Sequence, residues 1–131
     1  MKTHFSPKNN PRVIIIQKLY GKIFNNEENL SFPKHRFKKF IKDVVLGSIE
    51  RNELIMNELE TKLGHEFSFN NLDKVFQTIL TAATYELLYK PNLSLNIIIK
   101  EYLNSSNFFL ENSQTKYLNA LLDNIGKKLR S

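Results

Sequence analysis

The chain has 131 residues, 41% of them hydrophobic and 24% charged, with no Cys, no Trp, four Gly and four Pro. This composition excludes a disulfide scaffold, a thiolate metal site and a collagen-like or linker-rich chain. The longest unbroken apolar run is Val13 to Ile16, too short to cross a bilayer, and the N-terminus lacks the apolar core of a signal peptide. A soluble, cytoplasmic, single-domain protein with no membrane partner is expected. Lys and Arg number 19 against 13 Asp and Glu, a net charge of +6. Residues 1–42 carry ten of those cations and only two acids, Glu27 and Glu28, while the rest is slightly acidic. A basic end on a near-neutral body is the footprint of a polyanion binder; the plain alternative is lysine used for solubility.

Helical periodicity runs through nearly the whole chain. Residues 1–10 are polar and unpatterned and read as a flexible basic arm, followed by one helical domain over 11–131. Pro11 suits the first turn of a helix, and Val13, Ile16, Leu19, Tyr20, Ile23 and Phe24 form its stripe. Pro33 is expected to open a second helix with Ser31 outside it; Lys34, Lys38 and Lys42 then repeat every four residues on one face. Gly47 marks either a break or a close helix approach before a third helix, which Gly64 ends. Ser68 is expected to cap a fourth helix, whose stripe runs from Leu72 to Leu88 and stops at Lys90 and Pro91. Ser94 caps a fifth, and Asn112 or Ser113 a sixth, with Lys127, Lys128 and Arg130 complementing the dipole at its end. The fold class is all-α, six helices without a strand, with an N-terminal half at about 11–65 and a C-terminal half at about 66–131.

The constellations of catalysis are missing. His4, His35 and His65 stand at no ligand spacing, so no metal is expected, and the four glycines form no phosphate loop. Ser113 and Lys116 match S-x-x-K, but without its companion motifs the pattern reads as a helix start followed by a surface lysine. Glu50, Glu53, Glu58 and Glu60 read as a solvated helix face. No enzymatic activity and no cofactor is expected.

Several stretches, in order, resemble the NusB family of bacterial transcription antitermination factors. Arg12, Gln17, Leu19 and Tyr20 match R-x-x-A-x-Q-x-L-Y, and Val45 with Gly47 stands where the family has L-V-x-G. Leu72 to Tyr89 is very similar to L-D-x-V-E-x-A-I-L-R-x-A-x-Y-E-L-L-Y. Ile97 to Glu101 stands in place of V-V-I-N-E, and Ser113 to Asp123 resembles the S-x-K-F-V-N-G-V-L-D segment. The resemblance covers about residues 8–130. It implies a NusB-like fold of two small helical bundles packed as one domain. It also implies an RNA-binding adaptor that joins boxA-like single-stranded RNA of ribosomal RNA leaders together with NusE, a small-subunit ribosomal protein. Through them it meets the other Nus factors and RNA polymerase. Some members dimerise, so a homodimer stays open.

RNA-binding residues implied by the resemblance and by the chemistry of single-strand binding are Lys8, Arg12, Asn112, Ser113, Lys116 and Tyr117. Arg12 matches a family arginine that faces RNA, and Lys116 with Tyr117 matches the K-F pair. Asn112 and Ser113, at a helix N-terminus, would hold a phosphate. Lys8, Asn9 and Asn10 stand where the family carries an arginine cluster, which removes cations; the row Lys34, Arg36, Lys38, Lys39 and Lys42 reads either as a solvated helix face or as a source of replacements. Tyr20 and Tyr85 lie on apolar stripes and read as core, whereas Tyr117 reads equally as core or stacking residue. Two alternatives keep the fold. One is a helical adaptor that binds proteins with weak or no specific RNA binding. The other is the NusB-like domain fused to ribosomal RNA cytosine methyltransferases, against which the end of the chain at Ser131 is taken to argue.

Overall fold

A computed structural model describes residues 9–25 and 29–130, so the expected arm before Asn9, Lys8 included, lies outside the described residues. Among the described residues the elements are α1 (Pro11–Phe24), α2 (Lys38–Glu50), α3 (Asn52–Leu63), α4 (Lys74–Tyr89), α5 (Leu95–Ser106) and α6 (Asn112–Leu129). A 3-10 turn, Phe69–Asn71, precedes α4. The all-helical expectation is met.

Local chemistry explains several of the helix ends. Asn10 caps α1, accepting from the N–H groups of Arg12 and Val13, and Pro11 occupies the first turn. Ser94 caps α5 by accepting from Ile97 N–H. Gly64 ends α3 with φ +93°, a backbone angle other residues rarely adopt.

Three expected starts differ. The second helix begins at Lys38 rather than Pro33. His35 organises a turn there, its Nδ1 accepting from Phe37 N–H and its carbonyl from Lys38 N–H, so Lys34 is not on the helical lysine row. The fourth begins after Asp73, because Ser68 leads into the 3-10 turn instead; the Gln77 amide donates to the Phe69 and Leu72 carbonyls and ties that turn to α4. The sixth is capped by Glu111, in a reciprocal pair with Gln114, and Asn112 and Ser113 are its first residues rather than its caps.

Helix α4 is the axis of the molecule. Its residues Thr78 to Leu87 are all buried, and α1, α2, α3, α5 and α6 all pack against it. Helix α1 runs antiparallel to α4: Arg12 meets Glu86 at one end, and Lys74 lies over the Phe24 ring at the other. Helix α6 runs parallel to it, with Gln114 donating to Asp73 at the start and Arg130 reaching the carbonyls of Leu87 and Lys90 at the end. The Arg130 guanidinium therefore satisfies terminal carbonyls of α4, while its backbone N–H donates to Gly126 in its own helix. One contiguous apolar cluster extends from Ile14 through Ile41, Ile55 and Leu80 to Ile125, so both halves share a core.

Gly47 does not break a helix, since α2 continues to Glu50. It is the close-approach alternative that holds: a Cβ at Gly47 would run into the Tyr85 ring. Tyr85 is buried, as its stripe implied, but Tyr20 is exposed on α1, its ring beside that of Phe24.

Candidate nucleic-acid interface

Among the described residues, the expected RNA residues do not form one cluster. Arg12 is 8% exposed and turned inward. Its Nη2 donates to Glu86 Oε1 at 2.7 Å and its Nε to Oε2 at 3.2 Å, a two-pronged pair with a fully buried carboxylate. Tyr102 donates its hydroxyl to the same carboxylate at 2.5 Å, and Glu101 lies 3.9 Å from the guanidinium. The ring of Phe40 lies 5.0 Å from the guanidinium carbon. Arg12 was expected to face RNA; in the folded chain two prongs to Glu86 and the Phe40 ring hold most of its guanidinium inward.

Charge in this cluster follows from burial. Burial works against the Arg12 charge, but Glu86 and Tyr102 outweigh it and the guanidinium is held more firmly protonated than usual. Burial likewise raises the Glu86 carboxyl, with Arg12 opposing that rise. Burial and the neighbouring carboxylate push the Tyr102 hydroxyl well above its ordinary range, so it remains a donor.

The other described site residues lie at the start of α6. Tyr117 is 47% exposed, its ring 5.5 Å from that of Phe76, and Lys116 beside it is exposed with no carboxylate partner among the described residues. Asn112 and Ser113 are also exposed. The capping carboxylate of Glu111 occupies the end of the helix, so the phosphate cradle expected there already holds a negative group. Phe76 and Glu86 are ten residues apart on α4, which puts Tyr117 about 15 Å along that helix from Arg12.

A third feature is a groove of about 780 Å³ between α2 and the end of α4. Arg36, Lys39, Lys42, Arg51 and Lys90 line it, with Asp43 and Glu50 as its acids. Phe37, Phe40 and Leu46 supply its apolar surface. The spacing of the lysine row pointed to the α2 cations, but Lys90, at the end of α4, could be added only once α2 and α4 were side by side.

Fold and surface together define a class: an all-helical domain around a central buried helix, with cations and exposed aromatic rings on its surface and, among the described residues, no grouping of side chains that could hold a metal ion. No described helix is long and apolar enough to cross a membrane. The sequence model of the NusB family matches residues 9–127, and the chain belongs to that family. It is 29% identical over 87 residues to the transcription antitermination protein NusB of Bartonella tribocorum, covering 66% of this chain and 56% of that relative. It is 32% identical over 91 residues to that of Novosphingobium aromaticivorans, covering 70% of this chain and 62% of the relative. The aligned part thus spans little more than half the length of these relatives. The solved structure of T. maritima NusB superposes with a TM-score of 0.78 at 25% identity, covering 98% of this chain and 94% of that one. The expected NusB-like fold is thereby established.

Proposed function

We propose that this protein is a cytoplasmic antitermination factor that binds boxA-like single-stranded RNA together with NusE and so joins the Nus complex on RNA polymerase. Membership of the NusB family carries this reading. The surface at the start of α6 suits it: Tyr117 offers a ring for a base, Lys116 a cation for a phosphate, and Asn112 and Ser113 polar groups for base edges. Lys8 adds a further cation just before α1. Arg12 acts from behind the surface, holding the start of α1 against α4 and α5.

The test is fluorescence anisotropy of a labelled boxA-like RNA, with and without NusE, across a salt series and against a scrambled RNA. Tyr117→Ala should weaken binding by about 1–3 kcal/mol, the worth of one stacked base. Lys116→Ala should reduce the slope of log affinity against log salt by about 0.7. No preference over scrambled RNA, even with NusE present, would remove the RNA half of the proposal and leave a protein-binding helical adaptor.

A further inference from the structure

The α2 groove carries more positive charge than the fold neutralises. Arg51 is paired with Glu50 at 3.0 Å, and Lys90 with Asp43. Arg36, Lys39 and Lys42 have no carboxylate partner among the described residues, and all three are exposed. Lys39 and Lys42 are three residues apart on one helix, close enough to repel each other. The N-terminus of α2 opens beside them, and its N-cap residue, Phe37, provides no side-chain cap, so the helix dipole adds to the same field. Three unmatched cations and a helix N-terminus around one concavity attract an anion.

Aromatic surface narrows the class of anion. Phe37 is 44% exposed, and the Arg36 guanidinium carbon lies 5.3 Å from its ring centre. Phe40 and Leu46 continue the apolar wall. An acidic peptide would use the cations and leave the Phe37 ring facing water. Single-stranded RNA uses both, with phosphates on the cations and a base stacked on the ring or on the arginine plane. The volume, about 780 Å³, lies in the range of preformed ligand sites.

We propose that the groove between α2 and the end of α4 is a second single-stranded RNA site, which holds the sugar-phosphate backbone without reading its sequence. The proposal takes its ligand class from the RNA-binding reading but not its place. Tyr85 in the groove and Phe76 beneath Tyr117 are nine residues apart on α4, about 13 Å along its axis and half a turn round it, so the groove and the α6 surface lie on different sides of α4 and the groove is a separate site. The groove also supplies the cations that are missing before α1.

The experiment measures binding of a short fluorescein-labelled oligouridylate, which contains no boxA-like sequence, to the full chain and three variants. These are Lys39→Ala with Lys42→Ala, Phe37→Ala, and Lys116→Ala with Tyr117→Ala. The substituted side chains are exposed, and far-ultraviolet circular dichroism verifies that each variant is folded. The lysine pair should lower the salt slope by about 1.4, reducing the fall in affinity between about 50 and 200 mM salt roughly sevenfold. Phe37→Ala should weaken binding about tenfold, within the range for one lost stacking contact. The α6 variant should lose boxA preference while oligouridylate still binds the groove. Absence of oligouridylate binding by the unmodified chain overturns the proposal, as does binding that the groove variants leave unchanged. So does displacement of the RNA by oligoglutamate at equal concentration, which would assign the groove to an acidic protein partner. A boxA preference that persists in any of these cases leaves the α6 reading intact.

Discussion

Replacing Arg12 by Met separates a structural arginine from an RNA-facing one. The substitution fills much of the same space but leaves the Glu86 carboxylate, fully buried, with Tyr102 as its remaining donor. Two charge-assisted hydrogen bonds are lost, each worth about 1.5–3 kcal/mol. Removing one partner of a buried ion pair costs about 3–5 kcal/mol, and the two estimates agree. Urea unfolding followed at 222 nm should therefore show a loss of about 3–5 kcal/mol at neutral pH. Glu86→Gln provides the second side of a double-mutant cycle, and the double variant should cost less than the sum of the singles by about 1.5–3 kcal/mol. The deficit should also depend on pH. Without the guanidinium the carboxyl, already raised by burial, rises further, and a raised carboxyl favours the protonated folded state. The Arg12→Met deficit should thus shrink as pH falls through the raised folded-state value towards the ordinary 4.5. A loss below about 1 kcal/mol, together with a tenfold or greater loss of RNA affinity, would refute the internal role and restore Arg12 to the RNA surface.

Two further predictions concern the same end of α4. Gly47→Ala should destabilise the protein by about 1–3 kcal/mol, because the added methyl displaces the buried Tyr85 ring; an unchanged urea midpoint would mean that α2 and α4 separate without cost. Tyr102→Phe should flatten the alkaline loss of stability. The Tyr102 hydroxyl is held protonated in the folded state well above the ordinary 10.0, so its contribution is intact below pH 10 and is lost as pH rises from there towards the folded-state value. Urea midpoints measured from pH 9 to 11 should fall more steeply for the parent chain than for the Phe variant.

Periodicity was enough to read the helices, because a stripe such as Val13, Ile16 and Leu19 is a local property that any buried helix face must show. Caps with one dominant chemistry, Ser94 and Gly64, were legible for the same reason. Where neighbouring residues competed for the same role, sequence alone did not decide: Glu111 with Gln114 displaced Asn112 and Ser113 at α6, and the His35 turn displaced Pro33 at α2. The motif around Tyr85 and Glu86 identified the family, since core positions of α4 contact every other helix and tolerate few alternatives. The orientation of the cations was not legible. Arg12 and Lys39 are both basic residues near helix starts, yet one is buried and the other borders a groove. What separates them is Glu86, 74 residues from Arg12 in the chain and brought to it only when α1 packs on α4. Which residues are helical is set by neighbours in sequence, but whether a charge faces a carboxylate or water is set by neighbours in space, and these exist only in the folded chain.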